Sequence, residues 1–526
     1  MATLLTQIVN LSRPGPYYWL CQNQAMRNVA MPNVAMRPGK AERLGRARRP
    51  GRVGRVLAVL CAALAIGVAA ADGQTSAAQP RTGGASSGTF AATITVRPSE
   101  PVIGSTSNQY IGLSFESGTL NSGQFDDVGD LPQLLRNLGA GVMRFGGNSV
   151  DTSFTSIAPS ALAGLVRLAK ATGWSVLYSE NLGHFTARTV TRDARSVSTA
   201  LGSYLAAFAC GNEPDLFPNV GLRSSSYSES DYLDQTSRCL AAVRAGAPNT
   251  PIEGPDTSGI GWLSGYAATE PGQLRWLGQH YYPMGCGLGG LSPAAFASAM
   301  LSAAQTAKEA AFFSAAARAA AVAYAPLRIS ETNSACHGGA VGASDAYVSA
   351  LWVVDYLLTG VEHGVTGFNF HGGLSAVCDG YTPLCRVGYN EYAAQPIYYG
   401  LLFTHLLGSG NLLPVTVRTS DPGDNLAAFA LKPAAGGAAH TGLRVIAENL
   451  TGATAHVTLR VRRATTAAVR YLTGPSLLAT SGVRIQGAAV AADGSFTPGA
   501  PDTVSCSSGR CRVTLAPYSA ALVTVG

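Results

Sequence analysis

From residue 108 to residue 408 the chain repeats one rhythm: a short apolar run, polar residues where the run gives out, then a longer helical pattern. The runs are YIGLSFE (110–116), AGVMRFGGN (140–148), WSVLYSENLG (174–183), LAAFACGNE (205–213), TPIEGPD (250–256), LRWLGQHYYP (274–283), LRISETNS (327–334) and VTGFNFHGG (365–373). Strands joined by helical crossovers run parallel, and parallel strands are buried on both faces, so they read as near-continuous apolar runs. Eight such units over roughly 300 residues predict an α/β fold, a (β/α)8 TIM barrel spanning 108–408. After Gly408 the rhythm changes. LPVTVRT, LAAFALKP, LRVIAENL, AHVTLRVRR, AAVRYLT and CRVTLAPYSAALVTV are short strands between Gly, Pro and Asp turns. They predict an accessory antiparallel β-sandwich domain over 409–526, to which residues 89–107, beginning TFAATITVRP, add one or more strands.

The first 71 residues read differently. Arg37, Lys40, Arg43, Arg46, Arg48, Arg49, Arg52 and Arg55 precede the apolar run VLAVLCAALAIGVAA (56–70) and the small residues Ala69-Ala70-Ala71. That order describes a basic N-terminal extension and a secretory signal peptide, with a run shorter than the ~20 residues of a spanning helix. Residues 72–88, DGQTSAAQPRTGGASSG, read as a flexible linker. The formal charge of +7 over 526 residues owes most of its excess to this leader. The expectation is a secreted, extracytoplasmic protein with no nucleic-acid partner and no stable membrane anchor after cleavage. Ten cysteines are present, and Cys21 and Cys61 fall in the leader. The remaining even number in an exported chain predicts disulfides. Cys378/Cys385 and Cys506/Cys511 are near enough in sequence to staple their own loops, which leaves Cys210/Cys239 and Cys286/Cys336 as the expected remaining pairs.

In a barrel of this kind chemistry sits at the C-terminal ends of the strands. The polar residues there are Glu116; Arg144 and Asn148; Glu180 and Asn181; Asn212 and Glu213; Asp256; His280, Tyr281 and Tyr282; Glu331; and Asn369 and His371. Nearly all suit sugar hydroxyls. The sequence carries no glycine-rich phosphate cradle, no CxxC or HxxxH spacing and no Gly-x-Ser-x-Gly elbow, so neither cofactor nor metal is expected. Taken singly, a glutamate at a strand end is commonly an ion-paired or capping residue, and His280 equally a packed histidine. Glu213 after strand 4 with Glu331 after strand 7 is more specific, because glycoside hydrolysis needs one acid to protonate the leaving oxygen and one carboxylate to attack the anomeric carbon. Asn212 is placed to bond a sugar 2-hydroxyl, and Arg144 and Tyr282 to donate to Glu331 and keep it ionised. Pro214 predicts an extended backbone at Glu213.

The strings YIGLSFES, RFGGNSVD, GNEPDLF, GPD, QHYYP, SETNS and GFNFHGG, in this order, resemble glycoside hydrolase family 79, which contains β-glucuronidases and heparanase. The resemblance implies a retaining β-glycosidase, with Glu213 as general acid/base and Glu331 as nucleophile. It implies that Asn212 and Tyr282 hold the sugar and the nucleophile, and that Glu116 and Asn148 contact the sugar; His280 is a sugar-binding candidate from its place at the end of strand 6 alone. In the family a Tyr-Gly-Gly segment after the nucleophile grips the uronic acid carboxylate. Here the segment is Ala335-Cys336-His337-Gly338-Gly339, with the glycines kept and His337 offered as the donor. A terminal β-glucuronide is thus the expected substrate. An endo-acting hydrolase of uronic-acid polysaccharides, or a carbohydrate-binding cell-surface protein without catalysis, are the alternatives. The first needs a dense Lys/Arg cluster in the loops, and the second is at odds with the intact carboxylate pair.

Overall fold

A computed structural model describes residues 88–375, 378–434 and 442–526. The basic extension, the signal segment and nearly all of the linker lie outside the described residues. Eight parallel strands close into a barrel: β1 (Gly112–Glu116), β2 (Val142–Gly146), β3 (Ser175–Glu180), β4 (Leu205–Cys210), β5 (Ile252–Thr257), β6 (Leu274–Tyr281), β7 (Leu327–Thr332) and β8 (Val365–His371), with β8 pairing back onto β1. All eight were expected from the apolar runs. Their double-sided burial explains why the runs do not alternate: VMRFG, LAAFAC and LRISET are buried at every position.

The barrel floor is filled by Val142, Leu177, Ala207, Ala209 and Trp276. The Arg328 guanidinium lies 4.8 Å over the Trp276 ring, and its Nε donates to Asn369 Oδ1 at 2.6 Å. Asn369 therefore plugs the floor and does not face the mouth. Most outer helices bury one face each; Pro396–Leu407 is buried along almost its whole length, and so is Tyr347–Glu362. It packs against the helix Pro396–Leu407 on one side, and its Tyr347 hydroxyl reaches the β-domain, its one proton shared between Leu472 O and Tyr518 O, each 3.0 Å away.

The second layer is a twelve-stranded sheet folded on itself. Ile94, Val457 and Val513 from one half meet Val445, Val469 and Val523 from the other in a single apolar core, which makes it a sandwich. Thr89–Val96 does join it, between Val415–Thr419 and Thr454–Arg460. Its pairing with Thr454–Arg460 is parallel, a departure from the all-antiparallel expectation. No hairpin links these two strands, since the whole barrel intervenes, so nothing forces them to run in opposite directions. Disulfides join Cys210–Cys239, Cys286–Cys336, Cys378–Cys385 and Cys506–Cys511, the pairs expected. Among the described residues no helix is long and apolar enough to cross a membrane.

Candidate active site

Arg144, on β2, is wholly buried at the centre of the mouth. A buried guanidinium is costly unless each donor is met, and here each is. Nη1 donates to Glu331 Oε2 at 2.7 Å and Ser114 Oγ at 3.0 Å. Nη2 donates to Asp256 Oδ2 and Asn212 Oδ1 at 3.0 Å each, and Nε reaches Asp256 Oδ2 at 3.3 Å. One side chain thus ties β1, β5, β7 and the residue after β4 to β2.

Glu331 is 6% exposed. Its Oε1 accepts from the Tyr282 hydroxyl at 2.8 Å, and His371 Nδ1 lies 3.6 Å from Oε2. Burial pushes its carboxyl up, but His371, His280, Arg144 and the Tyr282 hydroxyl outweigh burial and hold it at about 2. It is therefore an anion throughout the physiological range.

The β6–β7 register sets His280 opposite Glu331, just past an irregularity between Gln279 and His280. His280 Nδ1 lies 3.1 Å from Glu213 Oε1; Nε2 faces Arg144 Nη2 at 3.0 Å and Asp256 Oδ1 at 3.6 Å. Burial resists charging of the ring, yet Glu331, Asp256 and Glu213 outweigh burial and Arg144 and push it up to about 10. A neutral ring accepting from Arg144 would carry its proton on Nδ1, and a charged ring carries one there too, so Nδ1 donates to Glu213 in either form. His280 is 1% exposed and supports Glu213 from beneath.

Glu213 departs from the extended backbone that Pro214 predicted: it is left-handed, with φ 46° and ψ 54°. A following proline penalises the right-handed helical region and leaves this one open. The Glu213 N–H donates to Asp256 O at 2.8 Å, which holds the residue there. A non-glycine residue in this region is strained, and such strain collects at functional sites. Carboxylate oxygens of Glu213 and Glu331 and a ring nitrogen of His280 all lie within 4.8 Å of one another.

The rim is built from β1 and β2. Glu116 accepts the N–H groups of Asn148 at 3.2 Å and Ser149 at 2.8 Å, so it caps the short helix Ser149–Thr152 while its side chain remains 35% exposed at the mouth. His371 Nε2 stands 3.8 Å from it. Asn212 Nδ2 faces Asn148 Oδ1 at 3.5 Å. Asp151, inside RFGGNSVD but assigned no part from sequence, accepts three backbone N–H groups, those of Leu182, Gly183 and Asn212, at 2.7–2.8 Å. Burial outweighs these bonds and pushes its carboxyl up to about 6. It pins the loops after β3 and β4, and so the position of Asn212.

Besides Asn369, three strand-end residues lie elsewhere. Glu180 is buried beside Asp193 on the helix side, Asn181 bonds Phe154 O and His184 N–H, and Tyr281 stacks on Phe312 with ring centres 3.7 Å apart. Beyond Glu331, His337 is exposed with φ 57°, followed by Gly338 and Gly339 at φ 87° and 91°. A residue the sequence did not flag joins them. Tyr381, on the loop closed by Cys378–Cys385, donates its N–H to Gly338 O at 3.0 Å. Its ring lies 6.2 Å from those of Tyr282 and His371. Burial and then Glu331 push its phenol above the ordinary tyrosine value. The pair Cys286 and Cys336 beside His337 offers no thiolate to a metal, being bonded to itself.

No family model matches this sequence, and no curated protein sequence matches it. Solved structures do. A 4-O-α-L-rhamnosyl-β-D-glucuronidase from Fusarium oxysporum 12S, solved with Rha-GlcA, superposes with TM-score 0.68 at 22% identity, over 82% of this chain and 100% of that one. A family 51 arabinofuranosidase from Xanthomonas axonopodis pv. citri follows with TM-score 0.61 at 13% identity, over 83% and 100%. A glycoside hydrolase family 44 endoglucanase from a Clostridium gives 0.56 at 13%, over 82% and 99%. The barrel with its β-domain is thus the fold of these solved glycosidases.

Proposed function

We propose that this protein is a retaining β-glycosidase of the family 79 type that hydrolyses terminal β-glucuronides. One observation carries the reading: Glu213 and Glu331, at the ends of β4 and β7, bring carboxylate oxygens within 4.8 Å. Retaining enzymes hold their carboxyl groups about 5–5.5 Å apart, whereas inverting ones leave ~6.5–9.5 Å for a water. Glu331, bonded to Arg144 and Tyr282 and held ionised, is the nucleophile that attacks the anomeric carbon and forms the glycosyl-enzyme. Glu213, with His280 Nδ1 donating to one oxygen and part of its side chain open to the mouth, protonates the leaving oxygen and then takes a proton from the incoming water. Asn212, fixed by Asp151 and Arg144, meets the 2-hydroxyl. Glu116 and Asn148 take hydroxyls at the rim.

The acidic sugar is supported by the family resemblance, by the likeness to a solved β-glucuronidase and by the corner formed by Tyr381, His337, Gly338 and Gly339. There Tyr381 supplies, from another loop, the hydroxyl that a Tyr-Gly-Gly segment would have carried. The four disulfides suit an oxidising, extracytoplasmic setting. The test is a panel of nitrophenyl β-glycosides (glucuronide, galacturonide, glucoside, xyloside) on wild type and Glu331→Ala. Release from the glucuronide above all others, lost in the variant, is expected. Cleavage of neutral sugars alone would overturn the substrate, and no cleavage at all would favour a binding protein.

A further inference from the structure

Beneath the site lies a carboxyl the mechanism does not use. Glu253, on β5 three residues before Asp256, is wholly buried inside the barrel. No amide, hydroxyl or cation among the described residues donates a hydrogen bond to either of its oxygens. Yet it is crowded against a second carboxyl. A side-chain carbon at Gly278, on β6, would overlap Glu253 Oε1 and stand 2.7 Å from Asp256 Oδ1, so the two carboxyls converge over a position where only glycine fits. Two carboxyl groups this close in a dry interior do not both ionise.

The neighbours decide which one keeps the proton. Asp256 has three donated hydrogen bonds, from Arg144 Nε and Nη2 on Oδ2 and from the Ser330 hydroxyl on Oδ1, while His280 Nε2 stands beyond hydrogen-bond reach at 3.6 Å. Facing Glu253 are Asp256 on its own strand, Arg144 from β2, His280 from β6, Arg328 from β7 and Tyr266 from the helix Leu263–Thr269. None of the cations among them forms a hydrogen bond to it. Burial and then Asp256 push the Glu253 carboxyl well above the ordinary range, while Asp256 is held well below it.

We propose that Glu253 is a positioning residue, a neutral carboxylic acid that donates its own proton to Asp256 and so fixes the buried anion on which Arg144 is aligned. A neutral donor satisfies the last open direction of Asp256 without adding a second negative charge beneath Glu331. Arg144 then faces Asp256 on one edge and the nucleophile on the other, and its fork cannot turn wholly toward either. The proposal deepens the glycosidase reading in that its kinetic arm rests on it, while its spectroscopic arm does not.

The experiment uses the full protein with Glu253→Gln and Glu253→Leu. In the infrared difference between wild type and E253Q at neutral pH, the carboxylic-acid C=O band of a buried, hydrogen-bonded acid is expected to vanish. Absence of such a band overturns the proposal, because Glu253 would then be ionised. On a nitrophenyl glycoside, E253L is expected to lower kcat roughly tenfold to hundredfold with little change in KM, the factor carried by one hydrogen bond to a charged group. E253Q, whose amide can donate to Asp256 as the acid does, is expected to restore most of that loss with the pH profile unmoved. An alkaline limb displaced in E253Q would mean that a negative charge had been removed, and would refute the neutral acid. Should E253L fail to fold, the infrared band and the E253Q profile still decide. Should no glycoside be cleaved, the band decides for Glu253 while the proposed function alone falls.

Discussion

Tyr282→Phe isolates one bond to Glu331, the proposed nucleophile. The Tyr282 hydroxyl donates to Glu331 Oε1 at 2.8 Å, and the ring can be kept while the donor is deleted. A hydrogen bond to a charged group contributes about 1.5–3 kcal/mol. This one is made to the ionised carboxylate, so its loss raises the cost of ionising Glu331 by about that amount. At about 1.4 kcal/mol per pH unit, the carboxyl should titrate about one to two units higher. The sign follows from the wild-type value of about 2, held down against burial by Tyr282 and its neighbours. The form needed for attack is present above that value and is lost as pH falls through it. The assay is kcat/KM for a nitrophenyl glucuronide from about pH 3 to pH 8, with circular dichroism to confirm the fold at each point. Wild type should hold an ionised nucleophile across this range, and the variant should bend downward in its acid part. At mid-range pH the variant should also lose roughly tenfold or more, because the missing donor no longer fixes the attacking oxygen. A rate loss with an unmoved acid limb would refute the electrostatic part of the reasoning and leave only orientation.

Other outcomes follow from the same geometry. Tyr381→Phe should raise KM for an acidic sugar by about tenfold while sparing a neutral one, measured on paired nitrophenyl glycosides; equal effects on both would remove Tyr381 from carboxylate recognition. Gly278→Ala should destabilise by about 1–3 kcal/mol in urea unfolding, since the added carbon falls on Glu253 Oε1. Glu309, on the helix Ala303–Ala323, is buried against Trp352, and burial pushes it up to about 8. Its folded value lies above the unfolded one, so the stability of its neutral form is present below the ordinary glutamate range and lost as pH rises through about 8. Glu309→Gln should therefore melt higher than wild type at about pH 9 and near it in acid, and the opposite ordering in calorimetry would count against the sign.

The residues most legible in the sequence were those whose place follows from strand direction alone. Glu213 and Glu331 end apolar runs, and a parallel barrel sends every such end to one face. The wiring between them was harder to read. That His280 supports Glu213 depends on the β6–β7 register and the irregularity before it, and apolar runs do not encode register. Asp151 acts through three backbone N–H groups in two other loops, contacts with no local signature. Tyr381 lies between half-cystines on a loop whose path is set by a disulfide and a small three-stranded sheet. The left-handed turn at Glu213 is stabilised from β5, 43 residues along the chain, so the local Pro214 rule could exclude one conformation but not choose among the rest. The strand at 89–96 was legible but its parallel direction was not, because that direction is set by the route of the chain and not by the strand's own residues.

That strand has a consequence for synthesis. Ala91 finds its partner Ser420 only 329 residues later, and Thr454–Arg460 later still. At about 5–20 residues per second, Thr89–Val96 leaves the ribosome some 15–65 s before anything exists to pair with it. Throughout that interval the nascent chain carries an apolar β-segment with both edges open, while the barrel grows behind it. Production of this protein should thus be limited less by the barrel than by whatever shields one eight-residue strand until the last quarter of the chain arrives.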